Sequence, residues 1–198
     1  MHGDEYGVIG CIQDYLETQK GKLPAYLYVP EVSPSAVLQQ TRRNKFGNDV
    51  NRNFFDPPQD PEIKILMEKL LPYHFSLCIN FHEDPDLTST FYLYDSGLLT
   101  PDQLLHLRSR IVEDGAGLHT GKDDPLDANL GLFVEKGYIS TPYEILPQNA
   151  GFSWLWFAKH GITERDIDVE IPGKAPESLK RTLVATIFSF FITPDFGF

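Results

Sequence analysis

Apolar residues recur at helical spacing from Tyr6 to Gln19, at Val8, Ile9, Ile12, Tyr15 and Leu16, and Gly21 follows where a helix would stop. The same spacing predicts helices over Pro61 to Leu71, with Ile63, Leu66, Met67 and Leu70 on one face, and over Pro101 to Val112, with Leu104, Leu105, Leu107 and Ile111. Phe152 to His160 reads as a short aromatic helix ended by Gly161, and Pro176 to Ile192 as a closing helix. Strand signals lie between them: Ala25 to Val29 closed by Pro30, Phe75 to Phe81, Phe91 to Tyr94, Tyr138 to Leu146, and Ile167 to Ile171. Alternation along the last of these places Asp168 and Glu170 on one side. The stretch from Glu31 to Asp60 shows little periodicity and reads as a long loop, a feature that in compact domains is usually functional; Asp114 to Gly137 also reads as irregular. Strands alternating with helices predict an α/β fold with a mixed, mostly parallel central sheet flanked by helices.

Composition narrows the function classes. A chain of 198 residues suits a single domain, 1–198, and no apolar run approaches the length of a membrane span. Its formal charge of -11, from 28 acidic and 17 basic residues, repels phosphate backbones, so no nucleic-acid partner is expected. The two cysteines, Cys11 and Cys78, fall in a helix and a buried strand, which favours a reducing compartment. The chain as written therefore reads as cytoplasmic; export would require an upstream extension carrying a leader. Oligomeric state is not legible.

Against this acidic background the chemistry-bearing residues fall in a few clusters. His2-Gly3-Asp4-Glu5 opens the chain, and His82 ends a buried strand in Asn80-Phe81-His82-Glu83-Asp84. Two imidazoles and a carboxylate can hold one zinc ion and leave a position for water, whose pKa the ion lowers. Taken singly, the first motif also reads as a surface turn and His82 as a hydrogen-bonded strand-end histidine. Glu83 and Asp84 read as solvated acids or as groups that hydrogen-bond a ligand. Basic residues concentrate in Thr41-Arg42-Arg43-Asn44 and Asp49-Val50-Asn51-Arg52-Asn53-Phe54. Arginine grips a planar carboxylate through two parallel hydrogen bonds, so such a loop near zinc points to a substrate with a free carboxylate.

The order of these elements, His-Gly-Asp-Glu, the Arg loop with Asp-Val-Asn-Arg-Asn-Phe, then a strand ending in His, resembles the zinc metallocarboxypeptidases related to carboxypeptidase A. Within that group the Phe-His-Glu-Asp and Phe-Tyr-Leu-Tyr sequences look like compact bacterial members such as murein peptide amidases. The resemblance covers nearly the whole chain and implies the carboxypeptidase fold, of the phosphorylase/hydrolase-like type. It makes His2, Glu5 and His82 the zinc ligands, Asn51 and Arg52 the carboxylate grip, and Arg42 the oxyanion arginine, with Arg43 as close competitor. Glu170 then becomes the general base, with Glu144 as rival, and Tyr143 and Tyr138 candidates for the substrate-capping tyrosine. The specificity pocket maps to Gly151 to Trp156, where no acid selects a terminal Lys or Arg, and where Trp154 and Trp156 read equally as core.

The sequence departs from that family at its front, where strands preceding the first zinc motif are missing. The expected function is a zinc-dependent metallocarboxypeptidase or peptide amidase, with a peptide or peptidoglycan fragment bearing a free carboxylate as substrate. An N-acyl amino acid amidohydrolase of the aspartoacylase and succinylglutamate desuccinylase type is the enzymatic alternative. A truncated, non-catalytic carboxylate-binding remnant is the alternative of another class.

Overall fold

The computed structural model describes residues 1–124, 127 and 129–192. Helices α1 (Gly7–Thr18), α2 (Pro34–Gln39), α3 (Pro61–Leu70), α4 (Pro101–Glu113), α5 (Ser153–Lys159) and α6 (Glu177–Ile192) surround a mixed sheet. Its strands are β1 (Cys78–Asp84), β2 (Thr90–Asp95), β3 (Gly117–Leu118), β6 (Tyr138–Ser140) and β7 (Asp166–Pro172); β4 (Gly121–Lys122) and β5 (Phe133–Val134) form a separate ribbon. β1 pairs with β7 in parallel, β7 with β2 antiparallel, and β2 with both β3 and β6 in parallel. The mixed, mostly parallel α/β architecture expected from the pattern is present.

Period-two alternation decides what each face covers. Ile79 and Phe81 of β1, Phe91 and Leu93 of β2, and Ile167, Val169 and Ile171 of β7 pack against the apolar stripes of α1, α4 and α6. On the opposite face Tyr92 and Tyr94 join Phe152, Trp154 and Leu155, while Val50, Phe54, Ile63 and Met67 close over Trp156 and Phe157. Helix starts follow capping chemistry: Asp60 accepts from the amides of Glu62 and Ile63, and Thr100 forms a capping box with Gln103.

Several expectations change: the stretch Asp114 to Gly137, expected to be irregular, carries β3, β4 and β5, and the strand expected over Phe75 to Phe81 runs instead from Cys78 to Asp84. Ala25 to Val29 forms no strand; none of the described residues pairs with it, and Tyr26 and Leu27 stay about half exposed. High strand propensity does not make a strand without a partner edge. A groove of about 930 Å³ is lined by residues 23–32 together with 74–81, and among the described residues no strand occupies the outer edge of β1. Tyr138 to Leu146 is a strand for three residues only, then turns into a 3-10 segment, Tyr143–Ile145, after Pro142 removes a ladder donor. Within the expected long loop, Ser33 caps α2 by accepting from the Ala36 amide, with Pro34 at its first position. Residues 125, 126 and 128 of the expected irregular stretch lie outside the described residues.

One buried charge network ties the sheet together. Asp95 is fully buried and accepts from Arg165 Nε at 2.9 Å, Arg165 Nη2 at 2.7 Å and Tyr138 Oη at 2.7 Å. Removing one partner strands the others, so Asp95→Ala is expected to lower unfolding free energy by about 3–5 kcal/mol, read from the denaturant midpoint.

Candidate metal and carboxylate site

His2 and Glu5 are delivered by a 3-10 turn, Gly3–Glu5, directly before α1. Gly3 makes that placement possible: a Cβ there would meet the Ala36 carbonyl carbon and oxygen at 2.0 Å, so the turn lies backbone to backbone on α2. The Gly3 amide also donates to Thr41 O at 3.1 Å, joining the turn to the arginine loop. His82 arrives from β1 across the fold.

The three side chains converge. His2 Nδ1 lies 2.5 Å from Glu5 Oε1, His82 Nδ1 2.8 Å from Glu5 Oε2, and the imidazole centroids are 5.4 Å apart. All are buried, and their donor atoms lie within 4.8 Å of one another, the only such group of three among the described residues. His82 Nε2 is buried without a hydrogen-bond partner. Two neutral-capable imidazoles and a carboxylate match the donor set of a catalytic zinc site. Burial pushes Glu5 up, but the charges of His82, His2 and the terminal ammonium outweigh it and hold the carboxyl well below its usual range. Burial drives His82 down, whereas for His2 the Glu5 and Asp49 carboxylates overcome burial and raise it.

Asp49 connects the metal motif to the arginines. Its Oδ1 lies 3.0 Å from His2 Nε2, and Oδ2 accepts from Arg42 Nε at 2.9 Å. The Asn51 amide and, through the Asp49 carbonyl, the Asn53 side chain hold it in place. A carboxylate on the far nitrogen of a ligating imidazole fixes its orientation and tautomer. In the sequence this residue is visible only as a flank of the Asn-Arg motif.

A cavity of about 390 Å³ brings the expected residues together: His2, Glu5, Arg42, Asn51, Arg52, His82 and Glu170 all line it. Arg52 Nη1 donates to Asn51 O at 2.9 Å, and its guanidinium lies 4.2 Å from the Phe152 ring centroid. Gly151, at φ +72, abuts the Arg52 carbonyl, where a Cβ would come within 2.6 Å. Asn51 Oδ1 accepts the Ser153 amide at 3.2 Å. Trp154 belongs to both roles expected for it: it packs in the core and lines the cavity, its Nε1–H buried without an acceptor. Trp156 is core and donates to Asp56 at 3.0 Å.

Three sets of candidates lie elsewhere. Arg43 donates to Gly47 O at 2.9 Å on the surface and does not line the cavity. Tyr143 donates to Asp166 Oδ2 at 2.8 Å, and Tyr138 to Asp95, so both hydroxyls are engaged away from it. Glu144 is exposed. Residues not singled out from sequence also appear. Tyr92, Tyr94, His119, Asp123 and Asp124 form a wall, and Lys180 pairs with Glu83 in a buried contact that joins α6 to β1.

β1 and β7 carry a polar ladder on the site face: Cys78 opposite Asp166, Asn80 opposite Asp168, His82 opposite Glu170. Asn80 Nδ2 donates to Asp168 Oδ1 at 2.6 Å. The Glu170 carboxyl makes no hydrogen bond or ion pair with any other described residue; burial first, then Glu5, Asp84 and Asp168, push it well above the usual range. Burial also raises Asp166 strongly, with Asp168 adding to it.

Two outcomes follow. Asp49→Ala should weaken zinc binding about 10–100-fold by chelator competition, with the fold retained by circular dichroism. A carboxyl raised in the folded state binds more protons there than in the unfolded chain. Asp166 therefore favours the fold in acid, and that contribution is lost as pH rises from about 4 through its folded pKa. Asp166→Asn keeps an acceptor for Tyr143 and should be more stable than the parent at pH 7, the gap closing toward pH 4 in urea titrations.

No protein-family model and no curated protein sequence matches the chain. Solved structures do. A protein of Shewanella amazonensis SB2B bearing the provisional name metallopeptidase is 20% identical, with a TM-score of 0.71 over 96% of this chain and 72% of its own. Murein-tripeptide amidase MpaA of Escherichia coli O157 is 16% identical, with a TM-score of 0.60 over 98% and 79%. The succinylglutamate desuccinylase/aspartoacylase of Rhodobacter sphaeroides is 19% identical, with a TM-score of 0.55 over 96% and 51%. The chain has the carboxypeptidase-like α/β fold that these structures share.

Proposed function

We propose that the protein is a metal-dependent hydrolase that cleaves a peptide or amide bond beside a free carboxylate, acting on peptides or peptidoglycan fragments. The observation that carries this reading is the cavity itself: a three-ligand donor set, a glutamate whose carboxyl has no partner among the described residues, and two arginines from a separate loop line one space. His2, Glu5 and His82 would hold one zinc ion. When bound, zinc supplies Lewis acidity, lowering the pKa of water and polarising a carbonyl.

The chain's own residues divide the remaining work. Glu170, in register with His82, takes a proton from water and passes it to the departing amine. Burial beside other acids pushes its carboxyl well above the usual range, and a metal ion held by His2, Glu5 and His82 would lower it. Arg42 uses Nε on Asp49 and presents its remaining donors to the developing carbonyl charge. Asn51 and Arg52 hold the carboxylate and so set which bond reaches Glu170. No helix among the described residues is long and apolar enough to cross a membrane.

The same residues would serve hydrolysis of N-acyl amino acids, and the desuccinylase/aspartoacylase likeness keeps that as the second reading. Incubation with peptidoglycan tripeptide fragments and with N-succinyl and N-acetyl amino acids, followed by amine release, separates the two. Glu170→Gln should retain about one equivalent of zinc and lose about 10²–10⁴-fold in kcat. Full turnover in that variant would remove Glu170 from the mechanism. Protein purified without added zinc that neither contains nor takes up the ion would instead mark a carboxylate-binding, non-catalytic chain.

A further inference from the structure

The arginine expected to grip the substrate carboxylate already holds one from the protein. Arg52 Nη2 donates to Asp127 Oδ2, and both side chains are largely shielded, at 17% and 18% exposure. Asp127 belongs to a segment whose ends are pinned to the cavity wall. Tyr94 Oη donates to Asp123 Oδ2 at 2.8 Å, the Gly131 amide to Asp123 Oδ1 at 2.7 Å, and the Asp123 amide to Leu132 O at 3.1 Å. Between these anchors Asp127 Oδ1 accepts the Asn129 amide at 2.8 Å, and Oδ2 reaches across to Arg52. Burial raises the Asp127 carboxyl, but the Asn129 amide and the Arg52 guanidinium outweigh it and hold the group below its usual range.

We propose that Asp127 is a specificity-determining residue of this cavity: it pairs with Arg52, and a ligand carboxylate binds by displacing it. This rests on Arg52 being the carboxylate receptor. Exchange of one carboxylate for another at the same guanidinium yields little net Coulomb energy. A simple carboxylate therefore binds weakly, and affinity has to come from contacts elsewhere in the cavity. Asp127 in this way rejects small anions and admits ligands that also engage the far wall or the His2, Glu5 and His82 group. The acidic residues Asp84, Asp86, Asp123 and Asp124 that line the same cavity add repulsion against a bare anion.

The test is calorimetric titration of the full chain, with zinc added, using succinate as the probe. Asp127→Asn keeps the shape and removes the charge; Asp127→Ala is a second variant, with folding checked by circular dichroism. Both should bind succinate about tenfold more tightly than the parent. In an Arg52→Gln background binding should be weak and indifferent to residue 127. Asp86→Asn removes a charge from the same cavity without touching Arg52 and should have less effect than either change at Asp127. Weakened binding in Arg52→Gln without tightening in the Asp127 variants overturns the displacement and leaves Arg52 as receptor. Tightening that persists without Arg52, or that Asp86→Asn equals, overturns it as a general charge effect. Unaltered binding in Arg52→Gln removes the receptor reading and the proposal with it.

Discussion

Everything at the site depends on the parallel pairing of β1 with β7. That ladder sets His82 directly opposite Glu170, so a ligand for the proposed metal and the proposed base share a fixed separation that no loop can alter. The register is held from both faces. On one, Ile79, Phe81, Ile167, Val169 and Ile171 interlock with the helices; on the other, the polar pairs run toward Asp166. A shift of one residue would bury the acids in the apolar layer and expose the aliphatics to the cavity, which makes the alignment strongly specified.

Charge is distributed with the same economy. Arg42 is paired with Asp49, Arg52 with Asp127 and Lys180 with Glu83, so these cations around the cavity each meet an acid of the chain itself. The Glu170 carboxyl forms no ion pair among the described residues, and the terminal ammonium only partly offsets the acids around it. Burying a carboxylate without compensation is costly, and structures keep such groups mainly where chemistry uses them. The uncompensated acid lies beside the donor set that would bring a divalent cation.

Much of this was legible in the sequence because it rests on local periodicity and on residue chemistry at fixed spacing. The helices beginning at Gly7, Pro61, Pro101, Ser153 and Glu177 carry apolar stripes, caps or prolines that declare them, and the alternation in Asp166–Pro172 revealed which acids share a face. Convergence of residues 2, 5, 42, 51, 52, 82 and 170 on one cavity follows motif order. What was illegible is long-range. Strand propensity in Ala25 to Val29 says nothing about whether an edge is available to it. The choice between Arg42 and Arg43 depends on where Asp49 sits, and Asp127 lies in a stretch without pattern. Its role exists only because the chain folds back onto Arg52, 75 residues earlier.

The contact of Gly3 with α2 has a consequence for how the protein can vary. With the first turn lying flat on Ala36 and hydrogen-bonded to Thr41, the distance from the opening histidine to the arginine loop is one backbone thickness. The segment from Ser33 to Asp49 thus behaves as a spacer of set length despite its coil-like composition. Insertions and deletions of the kind surface loops tolerate would here be transmitted straight to an imidazole, whereas the connection between Gln19 and Pro30 carries no such constraint.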